Sequence, residues 1–250
     1  MKTAILAAVM GLAAAPVFAE SSLGIEGATL SFGMTQDEAG DAQTQVRATV
    51  DVAVTGAHGL QGDLAFEDTA HGTIGRLTGH LYMDPVAGQK YGLFLAMSDL
   101  DGRSLTWGEL GAEGQLEISD TLTIEGRTGL GRADSGSLDY IFGGVALAAA
   151  LTDSFDVELS LDVADFDEAA FRATAVDLGL RANYSREGSP WGVYAELIHS
   201  DLTGRDGAPA ETRLGLGLTM AFGNAGGVST DGRAFRDRDP VAALIRRGLR

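Results

Sequence analysis

Apolar and polar residues alternate along most of the chain, with the period of two that is typical of β-strands. In residues 213–222, every even-numbered position is Leu, Met or Phe, and the odd-numbered positions are Arg, Gly, Thr and Ala. Residues 155–163 alternate in the same way, with Phe, Val and Leu against Asp, Glu and Ser. Each segment therefore predicts a strand with one apolar face and one polar or small face.

About twelve segments show this alternation. Their approximate spans are 23–34, 43–55, 60–68, 73–84, 90–99, 104–118, 121–132, 137–151, 155–165, 170–184, 190–201 and 211–222. Most are close to the ~9–11 residues that a tilted strand needs to cross a bilayer. Ile25 and Leu30 fall on opposite faces of the first segment, which indicates a β-bulge. The third segment is short, so ten strands are an alternative to twelve.

The connections between the segments also alternate in length. Turns such as 119–120 and 152–154 follow even-numbered segments, whereas longer acidic loops such as 35–42 and 201–211 follow odd-numbered ones. Short turns on one side and longer loops on the other are typical of outer-membrane barrels. We therefore predict an all-β fold: a closed, antiparallel, up-and-down transmembrane β-barrel, with both termini on the periplasmic side. A soluble β-sandwich also alternates, but its core faces need more bulk than this chain supplies.

Residues 1–19 have the pattern of a secretory signal peptide. Lys2 precedes a short apolar run, and Ala19 ends a segment of small and apolar residues, so cleavage is expected before Glu20. The predicted organisation is a signal peptide at 1–19, a barrel at 20–223 and a basic periplasmic tail at 224–250.

Composition and charge exclude several classes of protein. The formal net charge of −17 argues against a nucleic-acid partner. The chain has no Cys, so it forms no disulfides. After the signal peptide, no stretch approaches the ~18 apolar residues of a transmembrane helix.

The final alternating segment carries a family resemblance. Gly217, Met220 and Phe222 resemble the terminal-strand signal that the barrel assembly machinery reads. With the signal peptide and the acidic, Gly-rich strands, the chain resembles Gram-negative outer-membrane β-barrel proteins of the small, porin-like kind. That resemblance implies an outer-membrane location, contact with outer-membrane lipid and lipopolysaccharide, and assembly by that machinery. The chain departs from the pattern by continuing beyond Phe222 to residue 250.

The tail differs in kind from the strands. It carries six Arg and three Asp, whereas residues 20–223 carry 11 basic and 32 acidic residues. A Gly- and Ser-rich linker at 223–232 precedes a short predicted amphipathic helix, with Asp239 and Pro240 as its N-cap and first-turn pair. Its apolar positions are Val241, Leu244, Ile245 and Leu249. The tail could enter the acidic lumen as a plug, dock on a periplasmic partner, or remain solvated.

Charged residues on the polar face of the strands must point into the barrel, because Lys or Arg facing lipid at mid-depth costs about 2–4 kcal/mol. The predicted pore-lining residues are Arg47, Asp51, Asp63, Arg76, Glu109, Glu113, Glu117, Glu125, Arg127, Asp156, Glu158, Asp162, Asp177, Arg181, Glu196 and Arg213. Their acidic excess favours cations. We therefore predict a narrow, weakly cation-preferring, porin-like pore for small solutes. The alternative is a non-conducting structural or adhesion barrel anchored in the membrane.

The sequence offers little support for catalysis, and we predict no catalytic residues, cofactor or metal. His199 and Ser200 are adjacent on a strand, so they point to opposite faces and cannot pair as in a lipid hydrolase. The G-x-S-x-G nucleophile motif is absent. The acidic loop at 99–102 lacks the downstream Glu of a calcium loop. A lipid hydrolase is the remote alternative.

A closed barrel makes one simple prediction for gel electrophoresis. Folded protein in cold SDS should migrate differently from boiled protein, because a closed hydrogen-bonded barrel resists the detergent until it is heated. A soluble β-sandwich should give the same band in both samples. A band that never shifts on boiling contradicts the barrel.

Overall fold

The computed structural model describes residues 24–134 and 138–249. Twelve antiparallel strands and one short helix make up this part of the chain. The strands are β1 Ile25–Asp37, β2 Ala42–Thr55, β3 His58–Thr69, β4 Gly72–Val86, β5 Gln89–Leu100, β6 Thr106–Ser119, β7 Leu122–Ala133, β8 Asp139–Thr152, β9 Phe155–Asp167, β10 Arg172–Ser185, β11 Trp191–Thr203 and β12 Ala208–Gly223. The helix is α1, Ala242–Arg246. Within the described ranges, no helix combines the length and the hydropathy needed to cross a membrane.

The strands form a closed barrel with up-and-down topology. Each strand pairs with its neighbours in the chain, and β1 pairs with β12 to close the ring. Gly33 lies opposite Gly217 in this closing pair, and Asp37 lies opposite Arg213. Closure leaves no strand edge without hydrogen-bond partners, which is the condition for a sheet to lie in lipid. The prediction of a closed barrel of about twelve strands is confirmed, and the ten-strand alternative is wrong because the third strand runs from His58 to Thr69.

The two ends of the barrel differ in their connections. At one end, here called the turn end, β1 begins, β12 ends, and four of the five connections are two residues long. Gly88, with φ of 79°, allows one of these tight turns. At the other end, here called the loop end, most connections have four or five residues. The bulge expected in the first strand lies between Ile25 and Gly27.

The outer surface of the barrel is apolar along the middle of the strands. Leu77, Leu95 and Met97 are more than 60% exposed, and Leu, Val and Ile side chains cover the neighbouring strands in the same way. Soluble proteins seldom expose so large an apolar surface. Near the turn end, Tyr184 and Trp191 are about half exposed on this face, where interfacial aromatic residues are expected. The outer surface is therefore suited to lipid.

The cost of a charge on this surface should depend on its depth in the bilayer. Leu95→Arg, in the middle of β5, should lower the free energy of unfolding by about 2–4 kcal/mol, because the guanidinium would lie in hydrocarbon. Val86→Arg, at the turn-end limit of β4, is the matched control and should cost about 0–1 kcal/mol. Urea titrations of protein folded into lipid vesicles measure both values. Equal losses of unfolding free energy at the two positions would contradict the placement of the apolar outer surface in the bilayer.

Candidate functional site: the lumen and the C-terminal tail

The described part of the C-terminal tail, residues 224–249, lies inside the barrel. The tail leaves β12 at Gly223, and the Asn224 N–H donates to the Glu26 carbonyl at 2.9 Å. Near the turn end, Thr123 donates its hydroxyl to the Val228 carbonyl at 2.6 Å. Near the loop end, Trp107 donates its indole N–H to Asp239 at 2.9 Å. The described tail therefore runs along the length of the lumen, as in the plug alternative, and not as a segment free in the periplasm.

Arginines of the tail form ion pairs with acidic residues of the wall. Arg236 contacts Asp162 at 2.7 Å and Glu158 at 3.2 Å. Arg233 pairs with the same Glu158. Near the loop end, Arg246 donates two hydrogen bonds to Glu67, at 2.6 and 3.0 Å. The basic tail thus compensates part of the acidic wall.

Two aspartates of the tail pair with the wall in the reverse sense, because here the tail supplies the carboxylate and the wall supplies the donors. Asp237 accepts hydrogen bonds from Arg76 at 2.7 Å and from Thr78 at 3.0 Å. Asp239 accepts a hydrogen bond from Ser98 at 3.1 Å, in addition to the bond from the Trp107 indole. Arg76 is 4% exposed and also pairs with Glu109 at 2.8 Å. The pairing between tail and wall is therefore specific in position and not only a matter of net charge.

Side chains of the wall also satisfy the extended backbone of the tail. Gln61 accepts from the Phe235 N–H at 2.7 Å and donates to the Phe235 carbonyl at 3.0 Å. Gln115 donates to the Ala234 carbonyl at 3.1 Å, and Glu125 accepts from the Arg236 N–H at 2.9 Å. An extended segment has no internal hydrogen bonds, so these contacts replace the water that its buried backbone would otherwise need.

Phe235 anchors the middle of the tail. It is 2% exposed and stacks on His80, with ring centroids 5.8 Å apart. Tyr82 meets its edge at 5.9 Å. His80 is itself held between Asp63 at 2.9 Å and Glu113 at 2.5 Å. An aromatic side chain of the tail is thus fixed in a pocket with a polar rim.

The end of the tail fills part of the loop end of the barrel with an apolar cluster. Val241, Ala242, Ala243, Leu244 and Ile245 are 0–2% exposed. They pack in one hydrophobic core with inward-facing residues of the strands and loops, which we call the loop-end cluster. Its members include Leu100, Leu105, Trp107, Leu138, Tyr140, Phe166, Phe171 and Leu202.

The alternation of the sequence carries a signal for this cluster. Trp107 is an even number of residues from Glu109 and Glu113 in β6, so the three share one face of the strand. Tyr140 shares a face with the small inward residues of β8 in the same way. Both large rings therefore belong to the inner face, close to the loop end. Bulky aromatic residues on an otherwise polar or small face indicate that the lumen is filled there.

The short helix begins later than its sequence pattern predicted. Asp239 and Pro240 were the expected N-cap pair, but α1 starts at Ala242, with Val241 in the N-cap position and no side-chain cap. The Asp239 carboxylate accepts hydrogen bonds from the wall and from the Val241 N–H at 3.0 Å. Its position is therefore set by the wall.

A polar cavity of about 500 Å³ remains beside the tail. It extends from Glu26 and Ala225 near the turn end to Thr35 and Arg213 near the loop end, along β1, β2 and β9 to β12. Its lining includes eight carboxylates and seven arginines, counting wall and tail together. The arginines of wall and tail together therefore nearly balance the carboxylates around this cavity.

All sixteen predicted pore-lining residues lie on the inner face, but only some line this cavity. The seven that line it are Arg47, Asp51, Asp156, Glu158, Arg181, Glu196 and Arg213. Of the other nine, five bind the tail directly: Arg76, Glu117, Glu125, Arg127 and Asp162. The last four are Asp63, Glu109, Glu113 and Asp177, which bond to other wall side chains. Alternation identified the inner face, and the path of the tail determined which part of it stays open.

The three residues of the predicted assembly signal lie in the closing strand. Gly217, Met220 and Phe222 are opposite Gly33, Leu30 and Ala28 of β1. A Cβ atom at Gly217 would lie 2.3 Å from the Tyr194 ring, so only glycine fits there. Recognition of this strand by the assembly machinery remains a prediction.

The residues considered for catalysis are not brought together. His199 is exposed on the outer face and lies 3.0 Å from the Thr212 hydroxyl. Ser200 is fully buried on the inner face and donates to Asp177. Among residues 24–134 and 138–249, no group of three or more His, Asp or Glu is arranged to hold a metal ion.

Comparison with solved structures places the fold among porins. The NanC porin superimposes with a TM-score of 0.61 at 10% identity, covering 76% of this chain and 98% of its own. The KdgM porin gives 0.56 at 9% identity, and its complex with disordered oligogalacturonate gives 0.57 at 9%, each covering 78% of this chain and 99% of KdgM. The fold is that of a small, porin-like outer-membrane barrel. No protein-family model and no curated protein matches the sequence.

The buried ion pairs between tail and wall should matter for stability. Arg76→Met should lower the free energy of unfolding by about 3–5 kcal/mol, because Glu109 and Asp237 would be left as buried, unpaired charges. Arg172→Met is the control, since Arg172 and its partner Asp167 are both more than half exposed, and it should cost about 0–1 kcal/mol. Chemical unfolding in lipid vesicles measures both. A small effect at Arg76 would show that the lumen is well hydrated around this group.

Proposed function

We propose that this protein is a porin-like outer-membrane pore for small solutes, narrowed by its own C-terminal tail. The supporting observation is the polar cavity of about 500 Å³ beside the tail, lined by charged and hydroxyl side chains along most of the barrel length. A cavity with such a lining can hold water and small hydrated solutes, whereas the tail fills much of the rest of the lumen. No catalytic role is part of this proposal.

The proposed location rests on the outer surface of the barrel. An apolar belt and closed strand pairing suit a bilayer, and lipopolysaccharide is the expected contact of the outer leaflet. In this orientation the turn end faces the periplasm and the longer loops face outward, as in other outer-membrane barrels. Residues 1–19, which lie outside the described residues, would supply the export signal.

The balance of charges along the cavity supports only a weak cation preference. Eight carboxylates and seven arginines line it, and four of those arginines belong to the tail. The wall alone is strongly acidic, so the tail reduces a preference for cations that the strands would otherwise create.

A non-conducting structural barrel is the second candidate function. The loop-end cluster favours it, because Leu244 and Ile245 are fully buried and fill part of the outer mouth. Adhesion is a poorer fit, since the loop-end connections are short.

Planar-bilayer recording tests the pore directly. The full chain should give small, discrete conductance steps, with a reversal potential in a KCl gradient that indicates weak cation preference. Glu26→Gln, in the cavity lining, should lower the ratio of cation to anion permeability, because it removes one carboxylate from the path. Asp120→Asn, in an exposed turn away from the cavity, should leave the ratio unchanged. The absence of steps above background would rule out the pore and favour the structural barrel.

A further inference from the structure

We propose that the C-terminal tail is an autoinhibitory plug that is latched at the loop end and can leave the lumen. This inference rests on the proposed pore function and concerns its regulation. The latch is Val241–Ile245 seated in the loop-end cluster, and the remainder of the described tail is the shaft.

Apart from the buried Phe235 ring, the shaft is bound mainly by contacts that water can replace. Arg233, Arg236 and Asp237 bind the wall through ion pairs and hydrogen bonds, and Gln61 and Gln115 bind the backbone of the shaft. Water and salt ions can satisfy the same groups when the shaft leaves. Its departure would also expose aromatic surface where Phe235 packs on His80 and Tyr82.

The wall beneath the shaft has the composition of a water-filled channel. Its polar side chains include Thr78, Ser98, Gln61, Gln115, Glu109, Glu113 and Glu125, each no more than 7% exposed while the tail is in place. The rings of Tyr82 and Phe94 lie among them. A lumen filled permanently needs no such polar lining, since apolar side chains would pack there without the cost of desolvation. The polar lining therefore indicates a second state, in which this wall faces water.

The latch is different, because it cannot exchange its contacts for water. Leu244 and Ile245 are fully buried against Leu138, Phe166 and other residues of the loop-end cluster. Hydration of these side chains is unfavourable. The latch therefore stabilises the closed state, in which the tail occupies the lumen.

The tether permits movement of the tail. Gly226 and Gly227 are exposed at the turn end, with φ of 109° and 80°, and no atom lies within 4 Å of the position of a Cβ atom at either residue. The open cavity runs beside the shaft for most of the barrel length. Since the tail is joined to β12 at Gly223, it would withdraw through the turn end.

A single charge in the latch tests the proposal on the full chain. Leu244→Asp should release the latch and give conductance steps several times larger than those of the unchanged protein. Ala87→Asp, in an exposed turn, adds the same charge and should leave the steps unchanged. Heat-modifiable migration on a gel confirms that each variant has folded.

Thiol labelling gives a second readout that does not depend on conductance. The chain has no Cys, and Ser98 is 1% exposed against Asp239. Ser98→Cys alone should react slowly with a membrane-impermeant maleimide, and Ser98→Cys with Leu244→Asp should react much faster. Ser119→Cys, at the exposed end of β6, should react at the same rate with and without Leu244→Asp. If Leu244→Asp does not fold, Leu244→Ala replaces it and should give an intermediate labelling rate.

The outcomes separate this inference from the pore itself. Folded latch variants with unchanged conductance and unchanged labelling would overturn the plug and leave the pore intact. Faster labelling of the Ser98→Cys protein with no conductance in any variant would support a mobile tail and overturn the pore. Larger steps together with faster labelling would support both.

Discussion

The structure depends on the pairing of β1 with β12. Hydrocarbon offers no hydrogen-bond partners, so a sheet in a bilayer must pair every strand and close on itself. Closure divides each strand into a face toward lipid and a face toward the lumen, and the alternation of the sequence matches that division. It also creates an enclosed space with an acidic wall, and the final strand releases the chain at the edge of that space.

Charge then determines what occupies the lumen. Acidic residues such as Glu158 and Asp162 cannot turn outward, because the outer face meets lipid. Arg233 and Arg236 are drawn to them by the same attraction, in a space where water and salt screen charges less than in bulk solution. The result is a lumen in which an acidic wall and a basic tail compensate each other, and in which a polar cavity remains beside the tail.

The tail combines two kinds of contact with different consequences. Its shaft is held mainly by polar groups that tolerate exchange with water, with Phe235 as one aromatic anchor, and its end is held by apolar packing around Leu244. A plug that was apolar throughout would make the barrel a solid core, whereas a plug that was polar throughout would be held only loosely. Because the apolar contacts of the tail are concentrated at the loop end, the closed state is stabilised mainly there. The proposed gating follows from this arrangement.

The sequence by itself determined the fold class and the faces of the strands, because a period of two specifies which side chains share a face wherever the strand lies. It left ten or twelve strands open, and the structure decided for twelve. It also determined that residues 224–250 differ in charge from the barrel. Only the tertiary structure decided that the described tail lies within the lumen, since the pairing of Arg246 with Glu67 joins residues far apart in the chain and no local pattern encodes it. For the same reason, periodicity placed Glu125 and Glu196 on one face but could not show that the tail covers the first while the second borders open space.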